Sequence, residues 1–461
     1  MILAIMLDAP FSANVKVSNW NVTTSKDQLE VSITKSSKWI VVSWIDTDWS
    51  SFFSANDLAV SSDGGSTWKF VTYFKPPDYQ NCWIGDPYVA YEPSNPDKFY
   101  WVGMIYCNPN NPKGEIYFCT NNSTPDNASN WSCKILPPND NWAYFKDKPN
   151  IIALGNGTIL VNYTSDKYGN YEILIARSTD YGNTWSTIRP APGVVSTVAY
   201  FSVYGSTIYM SQNNFNSGLK IDVRKSTNGG LNWSFVSSPV TISTGPYGTS
   251  CRYFKRPAKI HSNIAVYSNK IAVSYVSNYN GYCNVAVAYS VDGGSTWTRK
   301  FIYPSSRDQV LPMIASSKNG YLYVMWQELY SSTYSTWRTM FSYSINWGSS
   351  FSTPSRVSDH NYKFNQNPAG HDYNGLFIDN SGVYAVWAND YYTDDAGLVW
   401  FSKATSSVPL VNIDENKINY ENAKIYSIDG KFLGNYNSKN NLKPGIYVIK
   451  SDKASKIFIV K

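Results

Sequence analysis

The chain has 461 residues, long enough for one large domain and a small second one. Aromatic residues make up 16% of it and charged residues only 16%, and the formal net charge is a mild +6. The lysines are scattered, so nucleic-acid binding has little support, and no run of 18 apolar residues predicts a membrane span.

The chain begins with a short apolar stretch, residues 1–7, that lacks the basic region of a secretory signal. We interpret it as a trimmed or atypical signal segment or, alternatively, as an edge strand. Residues 14–24 contain a candidate strand. Residues 1–26 are therefore treated as an N-terminal segment.

An eight-residue phrase, S-x-D-x-G-x-T-W, then recurs along the chain. Complete copies lie at residues 61–68, 178–185 and 290–297, and two worn copies at 226–233 and 344–351. An Asp or Asn side chain can bond the backbone just after it, and Gly supplies a positive φ, so each copy predicts a hairpin turn. The closing aromatic residue should pack against a neighbouring unit. The structural turn residues are Asp63, Gly65, Trp68, Asp180, Gly182, Trp185, Asn228, Trp233, Asp292, Gly294, Trp297 and Asn346.

Strands are predicted between these turns. Seven apolar-alternating runs mark one strand in each unit, which favours seven units over six. These runs are residues 40–44, 99–103, 159–163, 208–210, 271–275, 322–326 and 383–387. One turn, between residues 117–120 and 131–134, is lengthened and eroded. The last unit has three strands, at 375–380, 383–388 and 397–403, so residues 14–24 are the candidate that closes the ring and removes an open sheet edge.

The repeated phrase is similar to the Asp-box, and the chain resembles the Asp-box (BNR-repeat), sialidase-like β-propellers. The resemblance implies an all-β, seven-bladed β-propeller over residues 27–405, with a six-bladed ring as the alternative. It also implies that each box joins the third and fourth strands of a blade, on the face away from the active site.

The six cysteines favour an oxidising compartment. They allow 15 pairings. We prefer Cys119–Cys133 across one hairpin, Cys251–Cys283 within one blade and Cys82–Cys107, with six buried thiols as the alternative. No C-x-x-C pair indicates zinc. Frequent N-glycosylation sequons add weak support for an extracellular glycoprotein.

The composition changes after residue 405. Residues 406–461 are rich in Lys, Asn and Ile, and Asp429-Gly430 and Pro444-Gly445 mark turns between alternating strands. This segment resembles the C-terminal sorting domain of type IX secretion substrates, a small β-sandwich. The resemblance implies export and attachment at the cell surface. An accessory β-module without a sorting role, used for anchoring or self-assembly, is the alternative.

Charged residues recur where strands are predicted to meet the pore. Innermost strands are expected to start at Glu30, Asp86, Asp147, Arg256 and Asp372. Second strands run into Asp46, Asp48, Asp166, Glu328 and Asp390, with Trp44, Trp326, Trp387 and Tyr91 nearby in sequence. Carboxylates beside aromatic rings suit carbohydrate chemistry, and glycoside cleavage needs two carboxyls with separated pKa values. Asp86, Glu328 and Asp372 are the catalytic candidates, and simple capping of turns is the alternative for each.

Sialidase activity is not expected. That mechanism uses three arginines to hold a carboxylate, the first of them from the first blade. Here no arginine precedes Arg177. The segment most similar to the family's first-blade arginine motif, Lys255-Arg256-Pro257, lies in the fifth blade. Arg252, Arg307 and Arg338 do not reproduce the family's layout. For His371, beside Asp372, a structural role is favoured over that of a base.

The sequence thus favours a secreted or surface-displayed propeller that binds a glycan or another surface component through the pore face. A glycoside hydrolase of the same superfold and a structural subunit of an extracellular assembly are the alternatives, because fold alone does not decide function. No cofactor is required. Ca²⁺ at the pore stays open, since acidic oxygen ligands are available.

Overall fold

The structure, a computed structural model, describes the greater part of the chain. The described residues are 11–18, 27–48, 53–107, 113–136, 145–167, 170–216, 218–242, 249–251, 257–258, 262–333, 336–363, 372–389, 398–405, 424–427, 432–435, 445–451 and 454–460. They divide between two compact units, Pro10–Ala404 and a second that contains Thr405–Lys461.

The larger unit is a seven-bladed β-propeller, and seven four-strand meanders form its blades. In each meander, consecutive strands pair antiparallel, as expected for short β-branched and aromatic runs between Gly, Asn and Ser turns. Blade 1 has strands Asp27–Lys35, Ile40–Asp48, Phe53–Ser61 and Lys69–Phe74; blade 2 has Trp83–Glu92, Asn95–Cys107, Lys113–Asn121 and Trp131–Ile135; blade 3 has Phe145–Gly155, Thr158–Lys167, Asn170–Ser178 and Ser186–Ile188; blade 4 has Ala199–Tyr204, Thr207–Asn214, Leu219–Ser226 and Ser234–Ile242.

The remaining blades follow the same plan. Blade 5 has strands Ile264–Tyr267, Lys270–Tyr279, Tyr282–Ser290 and Thr298–Phe301; blade 6 has Gln309–Ser316, Leu322–Ser331, Thr336–Ser344 and Ser355–Arg356, with Tyr362–Lys363 as an extra partner; blade 7 has Gly375–Asp379, Gly382–Ala388, Val399–Thr405 and Val15–Lys16. Thr249–Ser250 and Pro257–Ala258 form a separate two-stranded sheet before blade 5. Among the described residues the only helices are two short 3₁₀ turns, Pro77–Tyr79 and Ala128–Asn130, and none is long and apolar enough to cross a membrane.

All seven predicted second strands occupy the second position of a blade, which confirms the count of seven. Blade 7 takes its fourth strand from the start of the chain. Val15 pairs with Phe401, and the Val17 amide donates to the Val399 carbonyl over 2.9 Å. Both sides of this seam are apolar, since Val17 and Phe401 are buried with Trp44 of blade 1.

The five copies of the repeated phrase join third strands to fourth strands. In the copy at 61–68, Asp63 Oδ1 accepts bonds from the amides of Ser66 and Thr67, at 2.9 and 3.0 Å, and the Gly65 amide donates to Ser61 Oγ over 2.9 Å. Asp180 and Asp292 accept from Thr184 and Thr296 in the same way. The carboxylates of these aspartates are therefore engaged in hydrogen bonds within the turn.

These turns also connect neighbouring blades. Their closing aromatic rings contact the preceding blade, as in the Trp68–Phe401 and Trp185–Phe118 pairs with centroids 5.2 and 5.0 Å apart. Basic side chains of the preceding blade donate to turn carbonyls: Lys403 to Gly64, Lys134 to Asn183, Arg177 to Gly229 and Lys300 to Ser349, over 2.6–3.0 Å.

The three disulfides join the preferred pairs, Cys82–Cys107, Cys119–Cys133 and Cys251–Cys283. In blade 2, which lacks the phrase, the Cys119–Cys133 disulfide links the third and fourth strands.

In the second unit, four strands form one antiparallel sheet in the spatial order Phe432–Asn435, Lys424–Ser427, Gly445–Ser451 and Ala454–Val460. A second layer, which the expected β-sandwich requires, is absent from its described residues.

Candidate functional site

The antiparallel pairing gives each blade two distinct ends. Innermost strands start where second strands finish, as shown by the pairs Gln28–Asp46, Phe145–Asp166 and Gln309–Glu328. The repeated turns lie at the other end, because strand direction alternates. We call the end with the repeated turns the turn face, and the end where innermost strands start the site face.

A backbone device recurs at the site face. Glu30, Asp86, Lys148 and Leu311, in blades 1, 2, 3 and 6, have positive φ values of 48–53°. Each lies at a register shift of its innermost strand. A left-handed conformation costs a non-glycine residue about 1–2 kcal/mol, and a bulge re-aims the side chain. These four residues therefore share a strained backbone conformation that changes the direction of their side chains.

Three of these blades, with blade 7, bring charged groups together. The Lys148 ammonium pairs with Asp372 Oδ2 and lies 3.9 Å from Asp86 Oδ1. The Asp372 amide donates to Glu30 Oε1 over 3.3 Å. Glu30, Asp86 and Asp372 are buried. We call these four residues the pore cluster; it joins three predicted residues with Lys148, which was not predicted.

The electrostatics of the pore cluster separate its groups. Burial, reinforced by the charge of Glu30, raises the pKa of Asp86 to about 7. Burial alone would lower the pKa of Lys148, but the carboxylates of Asp372 and Asp86 outweigh it and raise that pKa well above its ordinary value. Asp147 contributes a further carboxylate and accepts the Lys148 amide over 2.8 Å. Lys148 is therefore a permanent cation, while Asp86 exchanges a proton near neutral pH.

Three tyrosines pack beside the pore cluster: Tyr200 and Tyr373 are buried, and Tyr88 is half-buried. The Tyr88 ring lies 4.8 Å from Tyr373 and 6.3 Å from Tyr200, centroid to centroid, and the Tyr373 hydroxyl donates to the Pro87 carbonyl over 3.2 Å. Burial raises the pKa of all three phenols. These phenols therefore remain neutral at physiological pH.

Glu328 lies apart from the pore cluster, in blade 6. Its Oε1 accepts from Arg338 Nε over 3.1 Å and from Nη2 over 2.5 Å, and its Oε2 accepts from Gln309 over 3.2 Å. Arg307 Nη1 is 3.9 Å away. The Glu328 carboxylate is buried, and its oxygen atoms accept hydrogen bonds from these donors. Its geometry is therefore that of a residue that orients the arginine side chains.

Both arginines lie near the ring of Tyr330. Arg338 and Arg307 lie 5.5 and 5.7 Å from its centroid, and the ring is 45% exposed. All three residues belong to the site-face end of blade 6, since Arg307 precedes its first strand, Tyr330 is near the end of the second and Arg338 near the start of the third. We call them the arginine–tyrosine platform.

Arg307 differs from the other arginines that the structure describes. Arg177, Arg189, Arg224, Arg299, Arg338 and Arg356 each donate to a protein oxygen. The Arg307 side chain is 42% exposed, and its buried Nη1 has no hydrogen-bond acceptor among the described residues. The exposed part of Arg307 lies beside an exposed aromatic ring, an arrangement suited to the oxygen atoms of a ligand.

Several predicted residues are placed elsewhere. Trp44, Trp326 and Trp387 are almost fully buried in the cores between blades, so their rings offer no face to a ligand. Tyr91 lies further along its strand, toward the turn face. Asp46 is buried next to Asp57, and Asp166 is half-buried. Arg252, Arg256, His261, His371 and Asp390, and the side chain of Asp48, lie outside the described residues.

One alignment was wrong. Arg256-Pro257 was expected to open the innermost strand of blade 5, but that strand begins at Ile264, and Pro257–Ala258 pairs instead with Thr249–Ser250. Lys148 was missed because Asp147 was preferred. The signal was present: Asp86-Pro87, Lys148-Pro149 and Leu311-Pro312 all carry the strained residue directly before a proline.

Only one group of three potential metal ligands meets within the described part of the chain, at Cys251, Cys283 and Asp308. Both cysteines are in a disulfide, so they cannot serve as thiolate ligands. The Asp308 carboxylate accepts the Cys283 amide over 2.9 Å. Ca²⁺ at the pore stays a prediction.

No protein-family model and no curated protein matches the chain. Solved structures do match. The phage phi92 endosialidase aligns over 97% of this chain and 74% of that one, with a TM-score of 0.50 and 9% identity. A protein of unknown function from Dyadobacter fermentans gives 0.49 over 85% and 98% at 12% identity, and Trypanosoma rangeli sialidase in complex with sialic acid gives 0.48 over 98% and 86% at 10% identity. The phage similarity supports the propeller fold.

Proposed function

We propose that the protein binds a glycan through the site face. The observation that carries this proposal is the arginine–tyrosine platform: a half-exposed Tyr330 beside the 42% exposed side chain of Arg307. Sugar rings stack on aromatic faces, and guanidinium donors bind hydroxyl and carboxylate oxygens. The phage protein with the same fold is an endosialidase, which is consistent with a glycan partner.

The arginines also favour an acidic glycan. Arg307 and Arg338 outnumber Glu328, the carboxylate that they face. A guanidinium with free donors binds a carboxylate or sulfate more strongly than a hydroxyl, because charge-assisted hydrogen bonds are about twice as strong as neutral ones. We therefore expect uronate-containing or sulfated oligosaccharides to bind better than their neutral counterparts.

A glycan array probed with the full chain tests this proposal. For the best ligand, Tyr330→Ala should weaken binding about tenfold, the loss of a stacking contact of about 1.4 kcal/mol. Tyr73→Ala is the matched control, since Tyr73 is 47% exposed on the outermost strand of blade 1. Equal affinities for the two variants, or an array without any bound glycan, would contradict the proposal.

Glycoside hydrolysis is the second candidate function. It is favoured by one observation: burial raises the pKa of Asp86 to about 7, whereas the neighbouring Asp372 is paired with the Lys148 ammonium. Separated pKa values are what an acid and a base require. Hydrolysis of chromogenic glycosides that is lost in Asp86→Asn would support this function over binding alone; no hydrolysis of any substrate would remove it.

We further propose that the protein works outside the cell. Its three disulfides suit an oxidising compartment. The sheet of the second unit is proposed as the sorting or anchoring module. Removing residues 406–461 should leave glycan binding intact while abolishing surface attachment in the source cells, and unchanged surface display would disprove the sorting role.

A further inference from the structure

The channel on the propeller axis contains a cavity of about 370 Å³. The innermost strands of all seven blades line it, and it lies on the turn-face side of the pore cluster. Ser32, Asn150 and Asn374 line it and follow Glu30, Lys148 and Asp372 by two residues. Within their blades, the four residues of the pore cluster lie before this lining in the chain and are not part of it.

The wall of the cavity is polar without being charged. None of its described lining residues is Asp, Glu, Lys, Arg or His. Asparagine and serine side chains alternate with apolar ones such as Ile152 and Leu376. A charged ligand would lose its hydration here without gaining a counter-ion, which is unfavourable by several kcal/mol.

Three of these residues are buried and carry side-chain atoms that find no hydrogen-bond partner within the described part of the chain. These atoms are Ser32 Oγ, Asn150 Oδ1 and both amide atoms of Asn374, whose residue is 1% exposed. A buried polar group without a hydrogen bond costs about 1–3 kcal/mol, so such groups normally have a partner. The set contains donors and acceptors together, and a hydroxyl group satisfies both.

The cavity has an opening at the turn face. Val203 lines it near the end of the innermost strand of blade 4 and is 39% exposed. At the site face Glu30, Asp86, Asp372 and Tyr373 are buried, and the Lys148 side chain is only 15% exposed. Entry is therefore from the face opposite the arginine–tyrosine platform.

We propose that this cavity is a second binding site, which takes a neutral polyhydroxylated molecule of monosaccharide size from the turn face. The volume lies at the lower end of the range for small-molecule sites, about 300–1,000 Å³. The hydroxyl groups pair with Ser32, Asn150 and Asn374, and the carbon skeleton packs on the apolar residues between them. This site is independent of glycan binding at the site face.

Calorimetry on the full chain with glucose, galactose, mannose, xylose and glycerol tests this proposal. At least one should bind, and glucuronate and glucosamine should bind at least tenfold more weakly than the matching neutral sugar. Asn374→Leu, which is close in shape but cannot form hydrogen bonds, should weaken binding at least tenfold. Ala315→Phe, which fills the cavity, should abolish it and serves if Asn374→Leu does not fold.

Tyr330→Ala is the control, because it should leave sugar binding in the cavity unchanged while weakening glycan binding at the site face. The proposal fails if none of the five compounds binds, or if binding survives Asn374→Leu and Ala315→Phe. It also fails if crystals soaked in the sugar show ordered water only in the cavity.

Discussion

At the scale of single residues, the fifth position of the repeated phrase is fixed by two separate demands. Gly294 has a φ of +94°, and a Cβ there would lie 2.4 Å from Val236 of the preceding blade. Gly293, its neighbour, has a φ of +74° but nothing within 4 Å of a Cβ. Left-handed backbone and close packing thus coincide at only one of the two glycines.

This pair of glycines separates backbone strain from steric overlap. Gly293→Ala should lower the free energy of unfolding by about 1–2 kcal/mol, the cost of a left-handed alanine. Gly294→Ala should cost about 1–3 kcal/mol more, because its methyl group overpacks the blade interface. Urea denaturation measures the free energy of unfolding of both variants. Equal losses of stability would show that the close contact with blade 4 does not contribute to the effect.

A buried carboxyl in blade 1 should reduce stability at neutral pH. Burial, and then the charge of Asp46, raise the pKa of Asp57 well above its ordinary value. A carboxyl whose pKa is higher in the folded state costs stability as the pH rises above its unfolded value of about 3.9. Asp57→Asn should therefore raise the melting temperature at pH 7.5, and the gain should shrink as the pH falls toward 4.

Asp97→Asn is the control with the opposite sign. Its carboxylate accepts from Lys38 over 2.6 Å and from Trp39 over 2.9 Å, and these bonds lower its pKa. Its contribution is present at neutral pH and is lost on acidification, so the substitution should lower the melting temperature at pH 7.5. A gain for both variants would show that general charge reduction, rather than the environment of Asp57, is responsible.

Sequence reasoning reached some site residues and missed others for a physical reason. Trp326 and Glu328 share one face of a strand and Tyr330 follows at a register shift, yet Trp326 is in the core and Tyr330 is half-exposed. The two-residue period reveals the shared face but not where along the strand the core ends. Glu30, Asp86 and Asp372 were predicted because strand starts must meet at one end, whereas for Lys148 the neighbouring Asp147 was aligned with them instead.

At the scale of secondary-structure elements, turns and second strands were predictable because their signals are local. The phrase fixes its own hydrogen bonds within eight residues, and an apolar run predicts a buried strand without reference to its neighbours. The inter-blade bonds from Lys403, Lys134 and Arg177 had no such signal, because each joins positions from different blades.

Blade 2 offers a test of what replaces the phrase. The Cys119–Cys133 disulfide spans 14 residues where blades 1, 3, 4, 5 and 6 have a turn capped by Asp or Asn. Replacing both cysteines by serine should lower the free energy of unfolding by about 3 kcal/mol, as expected for a closed loop of this length. Thr120→Ala with Ser132→Ala, the adjacent cross-strand pair, is the control and should cost much less. Equal decreases in the free energy of unfolding for the two double variants would mean that the disulfide stabilises blade 2 no more than the control pair does.

At the scale of the whole molecule, the sequence repeats predict a closed ring of blades. The closed ring in turn brings the residues of the candidate site together. Seven similar units can bury their faces only against one another, so a closed circle follows from the count. The charged residues at the pore come from blades 1, 2, 3 and 7, and no pair of them is close in sequence. Their meeting is a property of closure rather than of any local motif.

A double-mutant cycle between Lys148 and Asp372 tests that claim most directly, because the two positions are 224 residues apart and meet only in a closed ring. Lys148→Met and Asp372→Asn should each lower the free energy of unfolding by about 3–5 kcal/mol, since each leaves a buried charge without its partner. The double variant should lose clearly less than the sum, with a coupling of about 1–3 kcal/mol. Strictly additive losses would contradict the ring and the site that it assembles.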